Sequence, residues 1–243
     1  MLHALLPDRR NIVNKPLWRP SEEQQKSANL ARFMDQVSQQ WAASFDNFET
    51  LYDWSIREPE KFWLSMWDFA GIIAETRGAR TLINGDKMPG AEWFPDARLN
   101  YAENLLRRRD DGDAMVFWGE EKVRRRLSFA ELHDRVSRLA QALRARGIGE
   151  GDRIAGYLPN MPETIIAMLA TASLGAVWSS CSPDFGAQGV LDRFGQIEAK
   201  ALIAVEGYYY GGKEIDCLAK LREVLAQLPS VETTILVPYT RER

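Results

Sequence analysis

Four short apolar runs decide the fold of this chain: RIAGYL at residues 153–158, AVWSS at 176–180, ALIAV at 201–205 and TTILV at 233–237. Segments of helical length and amphipathic pattern lie between these runs. Strands that alternate with helices form a parallel sheet covered by helices, because parallel neighbours need a long crossover connection. The sequence therefore predicts an α/β fold with a parallel sheet of strand–helix layers.

The same runs indicate where a ligand should bind. Ligands of such sheets bind at the carboxyl ends of the strands. Polar, turn-forming stretches follow three of these ends, at residues 159–162, 181–184 and 207–213. We therefore expect the functional site at this edge of the sheet.

The composition excludes several classes of function. The 243 residues carry 31 basic and 34 acidic side chains, a net charge of -3, so we expect neither nucleic acid nor an anionic membrane as a partner. Cys181 and Cys217 are the only cysteines, and His3 and His133 are the only histidines. These residues are too few for a disulfide framework or a structural zinc site, so we predict no metal centre.

The start of the chain lacks the pattern of a secretory signal. The apolar residues 1–6 meet Pro7 too early to form the core of a signal peptide, and no apolar run reaches the length of a membrane span. With so few cysteines, this pattern predicts a soluble protein of the cytoplasm.

The first 110 residues favour a separate helical region. Five of the eight tryptophans lie before residue 70, and aromatic residues at helical spacing usually pack against a neighbouring surface. A polar break at residues 107–113 places the boundary near residue 110. We predict a helical, Trp-rich extension over residues 1–110, followed by the α/β region over residues 111–243.

Local sequence patterns predict where three helices begin and where one hairpin lies. Three apparent capping boxes predict a helix from Ser21 to about Ser38, a second helix opened by Ser55, Glu58 and Pro59, and a third after Ser128. Two strands around residues 119–121 predict a β-hairpin.

The stretch GYYYGGKE at residues 207–214 fits the spacing G-x-x-x-x-G-K, between a predicted strand and a predicted helix over residues 214–228. Taken alone it indicates a P-loop. Glu214, however, replaces the Ser or Thr whose hydroxyl would hold Mg²⁺. Three interpretations stay open: a true P-loop, a weaker anion-binding turn formed by Gly211, Gly212 and Lys213, and a plain strand-to-helix turn.

The stretch SSCSPDFG at residues 179–186 is the second candidate. Cys181 or Ser182 as a nucleophile would need a base, and the two histidines lie far away in sequence. The simpler interpretation is that Ser182 or Asp184 caps the following helix. The adjacent arginines at 124–126 could form a phosphate patch, but side chains of consecutive strand residues point to opposite faces, which favours a solvated strand.

Several stretches resemble the acyl-CoA synthetases of the adenylate-forming superfamily. The first part of their AMP-binding domain is similar to LSFAEL at 127–132, GIGEGDRIA at 147–155 and PNMPE at 159–163. WFPDARLNYAEN at 93–104 is similar to the N-terminal extension of acetyl-CoA-type members. The candidate stretches at 178–186 and 207–213 most resemble the acetoacetate-activating branch of the family.

This resemblance implies an enzyme that activates acetoacetate with ATP and Mg²⁺ to an acyl-adenylate and then transfers the acyl group to CoA. The family's phosphate loop, ribose-binding aspartate, hinge and catalytic lysine have no counterpart among these residues. The resemblance therefore implies an N-terminal portion that is inactive alone, lacks catalytic residues and tightly bound cofactors, and needs the missing C-terminal part. It also implies contacts with CoA at Ser182, Asp184, Gly211, Gly212 and Lys213.

Three alternatives remain beside this interpretation. The first is another short-chain synthetase, acting on acetate or propionate. The second is a P-loop phosphotransferase that uses Lys213. The third is a non-enzymatic module whose Trp-rich region binds a partner.

Overall fold

The computed structural model describes residues 16–241. Residues 1–6, which include His3 and on which the prediction about a signal peptide rests, lie outside the described part. Within that part, the chain forms two compact units: one comprises the residues up to 72 together with 78–95, and the other comprises residues 73–77 together with those from 96 onward. No helix of the described residues is long and apolar enough to cross a membrane.

The first unit is mainly helical. Its elements are α1 (Glu22–Ser27), α2 (Asn29–Trp41), α3 (Phe48–Arg57), α4 (Pro59–Ala70) and a short antiparallel pair, β1 (Leu82–Ile83) with β2 (Glu92–Trp93). The capping box of Ser21 with Gln24 is confirmed. The single helix predicted to Ser38 is wrong, because Ala28 has extended backbone angles and separates α1 from α2.

The predicted capping box of Ser55 with Glu58 is also wrong. Ser55 lies inside α3, where its hydroxyl donates to the carbonyl of Tyr52 at 2.7 Å. Asn47 caps α3 instead, and α4 starts at Pro59 without a side-chain cap. A serine followed by glutamate fits the box pattern equally well within a helix, so the pattern alone misplaced this helix start.

The aromatic residues of the first unit pack against one another, as predicted. Phe33 is buried on α2, and its ring lies 5.8 Å from that of Phe62 and 5.2 Å from that of Phe69, both edge-on. The indole N–H of Trp41 donates to the buried hydroxyl of Ser65 at 2.7 Å. Edge-to-face pairs add to the apolar burial that holds these helices together.

The second unit contains the predicted parallel sheet. Its strands are β5 (Arg153–Tyr157), β6 (Val177–Cys181), β7 (Ala201–Val205) and β10 (Thr233–Val237). They lie side by side in the order β10-β7-β5-β6, and every pairing is parallel. All four apolar runs of the sequence are therefore strands of one sheet, within one residue of the predicted bounds.

Helices cover both faces of this sheet. Ala201, Ile203 and Val205 of β7 pack with one cluster, which includes residues of α6 (Phe129–Arg144) and α7 (Pro162–Ser173). The alternate residues Leu202 and Ala204 pack with the other cluster, which includes residues of α8 (Ala187–Ile197) and α9 (Leu218–Leu225). Burial on both faces explains why β7 reads as a continuous apolar run.

Further elements surround the sheet. Helix α5 (Tyr101–Leu105) precedes the hairpin of β3 (Asp113–Gly119) with β4 (Val123–Ser128), which confirms the predicted hairpin. The capping box of Ser128 with Glu131 at the start of α6 is also confirmed.

The prediction of a helix from Glu214 is wrong. Residues after β7 form a second antiparallel hairpin, β8 (Gly207–Tyr210) with β9 (Lys213–Asp216), and α9 starts only at Leu218. Gly211 and Gly212 have φ of 58° and 75°. Two adjacent residues with positive φ form the two-residue turn that fits the twist of a hairpin, so the glycines specify a turn between strands.

We predict that Leu202→Ala lowers the free energy of unfolding by about 2–5 kcal/mol, because this side chain is fully buried in the centre of the sheet. Leu236→Ala is the matched control, since Leu236 lies on the neighbouring strand but is 44% exposed, and it should cost less than about 1 kcal/mol. Urea denaturation measures both. Equal losses for the two variants would contradict the assigned core.

Candidate functional site

The structure brings the two candidate stretches of the sequence together at the carboxyl edge of the sheet. Residues 182–186 follow β6, and the β8–β9 hairpin follows β7. The phenol of Tyr208 on β8 donates to Oδ1 of Asp184 at 2.6 Å. We call these two stretches the strand-end site; it comprises residues 182–186 and 207–213.

Asp184 accepts hydrogen bonds on both carboxylate oxygens. Besides Tyr208, the hydroxyl of Ser182 donates to Oδ2 at 2.7 Å. These two donors, Tyr208 first and Ser182 second, lower the pKa of Asp184, so the group is ionised at neutral pH. Burial raises the pKa of the Tyr208 phenol, which therefore stays a donor.

The expectation that Ser182 or Asp184 caps α8 is wrong. The helix starts after Gly186, and no side chain caps it. The hydroxyl of Ser182 instead accepts a hydrogen bond from the backbone N–H of Asp184, at 3.4 Å, and donates one to the carboxylate of Asp184. The two side chains are thus engaged with each other and with β8, which leaves them at the surface of the strand-end site.

Two residues that the sequence analysis missed hold the loop over residues 182–186. The single O–H of Tyr157, fully buried at the end of β5, is shared between the carbonyls of Phe185 at 2.9 Å and Pro183 at 3.1 Å. Lys220 of α9 donates to the same two carbonyls, at 3.2 and 2.9 Å respectively. Tyr157 was detectable as a phenol near the end of the apolar run RIAGYL, since a buried phenol needs a partner. No pattern in the sequence indicated the contact made by Lys220.

Gly211 and Gly212 form a hairpin turn, and Lys213 begins β9, so the three residues do not lie at the start of a helix. The amide N–H groups of Gly211 and Gly212 donate to Oε1 and Oε2 of Glu120, at 2.6 and 2.9 Å. Lys213 is exposed, and the ion pairs found among the described residues do not include it. The P-loop interpretation is therefore wrong, because that motif requires a following helix. The turn does bind an anion, a carboxylate of the chain itself.

Glu206, directly after β7, is a second carboxylate bound by backbone amides, and unlike Glu120 it is buried. It accepts the N–H groups of Tyr239 at 2.7 Å, Thr240 at 2.8 Å and Arg241 at 2.9 Å. Burial would raise the pKa of this carboxyl, but these amide donors outweigh it and the pKa is lowered. Glu206 thereby fixes the segment that follows β10, next to a cavity of about 180 Å³ that it lines with Leu218 and Pro238.

The three consecutive arginines of β4 all have partners within the chain. Arg125 forms a bidentate pair with Glu163 at 2.6 and 2.9 Å, and Arg126 pairs with Asp113. The guanidinium of Arg124 lies 4.4 Å from the ring centre of Trp118. These contacts favour the interpretation as a strand with side chains on alternate faces over a phosphate patch.

The described residues hold no group of three or more side chains that could bind a metal ion. Cys181 and Cys217 are buried and unpaired, and burial raises the pKa of each thiol to about 11. Neither thiol is therefore a nucleophile at neutral pH, because the thiolate is the reactive form. The strand-end site therefore offers hydrogen-bond donors and acceptors and no reactive nucleophile.

A parallel sheet covered by helices, with two polar loops joined at its carboxyl edge, defines an α/β domain. The chain belongs to the family of AMP-binding enzymes, whose sequence profile matches residues 102–243. A second profile, described as the acetyl-coenzyme A synthetase N-terminus, matches residues 48–105. The resemblance read from the sequence motifs is thus confirmed.

Individual relatives show which members of this family the chain is similar to. The chain is 51% identical to an acetoacetyl-coenzyme A synthetase of Rhizobium meliloti (strain 1021), over 93% of this chain and 34% of that protein. It is 39% identical to the acetoacetyl-CoA synthetase of Rattus norvegicus, with the same two coverages. The solved structure of acetoacetyl-CoA synthetase from Streptomyces lividans superposes with a TM-score of 0.87 at 40% identity, over 94% of this chain and 36% of that one. The chain spans about a third of the length of these relatives.

We predict that Tyr208→Phe raises the pKa of Asp184 towards its ordinary value, because it removes the donor that lowers this pKa most. The wild-type bond stabilises the fold above the pKa of an unfolded aspartate, and this stabilisation is lost as the pH falls through the lower native pKa. The effect of the variant on stability should therefore fade in acid. A carboxyl ¹³C NMR titration of Asp184 measures the shift.

Tyr210→Phe is the matched control for that titration. Tyr210 lies two residues further along β8 and is 65% exposed, so its loss should leave the titration of Asp184 unchanged. An unchanged pKa in Tyr208→Phe would show that the bond to Asp184 does not hold in solution.

Proposed function

We propose that this chain forms the N-terminal part of an acetoacetate–CoA ligase. In such an enzyme the carboxylate of acetoacetate attacks the α-phosphate of ATP, with Mg²⁺, to form an acyl-adenylate and release pyrophosphate. The thiol of CoA then takes the acyl group and AMP is released. Support comes from the family membership, from the names of the relatives and from the match of both profiles in the expected order. The division near residue 110 and the cytoplasmic location are parts of this proposal.

The strand-end site would contact the nucleotide end of CoA. The single observation that supports this role best is the hydrogen bond of Tyr208 to Asp184, because it joins the two stretches that the sequence singled out. Lys213 and the amides of Gly211 and Gly212 offer one positive charge and two donors for a phosphate. Asp184 and Ser182 offer acceptors for ribose hydroxyls or an amino group.

The chemistry of the described residues fits a binding role. CoA, ATP and acetoacetate are substrates, and adenylation needs the triphosphate neutralised and the carboxylate placed for attack at the α-phosphate. The strand-end site has one cation outside the described ion pairs, Lys213, and the thiols of Cys181 and Cys217 next to it are protonated at neutral pH. The 243 residues alone should therefore release no AMP, and ligase activity should require the other two-thirds that the relatives carry.

A chimaera tests this function directly. The third of the Rhizobium meliloti protein that matches this chain would be replaced by the chain itself, with 51% identity as the basis for compatibility. The chimaera should form AMP from ATP only when acetoacetate and CoA are present, whereas the 243-residue chain should form none. Acetoacetate-dependent AMP release by the chain alone, or an inactive but folded chimaera, would contradict the proposal.

We predict that Lys213→Gln raises the KM for CoA in this chimaera on the order of fivefold and leaves the KM for ATP unchanged, because one charge contact with a phosphate is lost. Lys87→Gln is the control, since Lys87 is an exposed lysine of the first unit. Steady-state kinetics with each substrate varied gives the values. An unchanged KM for CoA would refute the assigned contact.

A further inference from the structure

Glu120 occupies the turn that should meet the phosphate of the ligand. It lies at the tip of the β3–β4 hairpin, with φ of 51°, and is 91 residues away from Gly211 in sequence. Its two carboxylate oxygens accept one amide each, Gly211 N–H at 2.6 Å and Gly212 N–H at 2.9 Å. This bidentate contact joins the two hairpins of the second unit.

The contact excludes any other anion from the same amides. Tyr210 and Lys213 form the last pair of the β8–β9 ladder, so the amides of Gly211 and Gly212 lie in the turn, outside the ladder. Each N–H makes one strong hydrogen bond. A phosphate that uses these donors must therefore take the place of the carboxylate.

Glu120 and Glu206, the two carboxylates bound by backbone amides, differ in their exposure to solvent. Glu206 is buried and bound by three amides, so its removal would leave unpaired donors in the interior. Glu120, Gly211 and Gly212 are all exposed. Water can satisfy either partner when the contact opens, which makes Glu120 displaceable where Glu206 is not.

The surroundings favour exchange of the carboxylate for a phosphate. Lys213 directly follows the turn, and the described ion pairs leave it available for a second charge. A phosphate dianion carries more charge than a carboxylate and offers three oxygens for the two amides and the ammonium group. Glu120 thus competes with the ligand, and a ligand of low charge would compete poorly.

We propose that Glu120 is an internal competitor: its carboxylate closes the turn of Gly211 and Gly212 and must be displaced by a phosphate at the nucleotide end of CoA. This inference rests on the proposed contact of the strand-end site with CoA. It adds to the site a residue that lowers affinity and selects for highly charged ligands. The sequence predicts the hairpin that carries this residue but does not connect it with the site.

Glu120→Gln tests the competition, because the amide keeps the size of the side chain and loses its charge. Titration calorimetry of the 243-residue chain with CoA should show affinity on the order of fivefold higher for this variant than for wild type. Glu121→Gln is the matched control; it removes the same charge one residue away, from an exposed side chain, and should change the affinity less than about twofold. Equal or lower affinity in Glu120→Gln would overturn the inference.

Hydrogen exchange of the two glycine amides provides a readout without ligand. In wild type both amides should exchange slowly, and in Glu120→Ala they should exchange faster, while the remaining hairpin amides keep their rates. Fast exchange in wild type would overturn the inference, because the turn would then be open. Addition of CoA to Glu120→Ala should slow both amides again.

The two experiments distinguish failure of this inference from failure of the proposed function. If wild type and Glu120→Gln bind CoA equally, the CoA site stands and the competition is refuted. If neither chain binds CoA although hydrogen exchange shows the closed turn, both the proposed contact and the displacement are refuted. Glu120 would then only join the two hairpins of the second unit. Adenosine 3′,5′-bisphosphate serves as a second probe, since it carries the phosphates of the nucleotide end without the thiol arm.

Discussion

The second unit depends on the complete burial of β7 between two layers of helices. All five residues of ALIAV are inaccessible or nearly so, and alternate side chains join the clusters on the two faces. A strand with no polar side chain can carry function only where it ends. The polar residues that follow β7, starting with Glu206, are therefore placed at the sheet edge by the same constraint that stabilises the sheet.

Two kinds of anchor then give this edge a defined shape. Tyr157 and Lys220 bind the carbonyls of the loop over residues 182–186, so the loop's acidic side chain faces β8. Backbone amides bind carboxylates at two other places, Glu206 in the interior and Glu120 at the surface. The edge is thus built from hydrogen bonds to charged groups, which are the stronger kind and fix geometry before a ligand arrives. A preformed edge of this kind would suit the large, charged ligand proposed above.

The sequence predicted the parts of the fold that periodicity and capping determine. The four strands were predictable because buried parallel strands read as apolar runs, and the start of α6 was predictable because Ser128 and Glu131 form a true capping box. The prediction of a helix from Glu214 was wrong because it followed the G-x-x-x-x-G-K spacing. The two adjacent glycines instead specify a hairpin turn. Family membership was predictable from motifs.

The contacts of the site were largely beyond the sequence. Ser182, Asp184 and the glycine turn were identified as candidates, but the bonds from Tyr208, Lys220 and Glu120 join residues 24 to 92 positions apart. No local pattern encodes such pairings, because they depend on how separate hairpins and helices pack around the four-stranded sheet. Glu120 in particular looked like an ordinary hairpin residue.

A crystal structure of this chain with CoA tests the central claim, that the strand-end site binds the nucleotide end of CoA, more directly than any other measurement. The account predicts a CoA phosphate about 3 Å from the amides of Gly211 and Gly212, with Lys213 in contact and Glu120 turned away. A phosphate bound elsewhere, with Glu120 still on both amides, would contradict it.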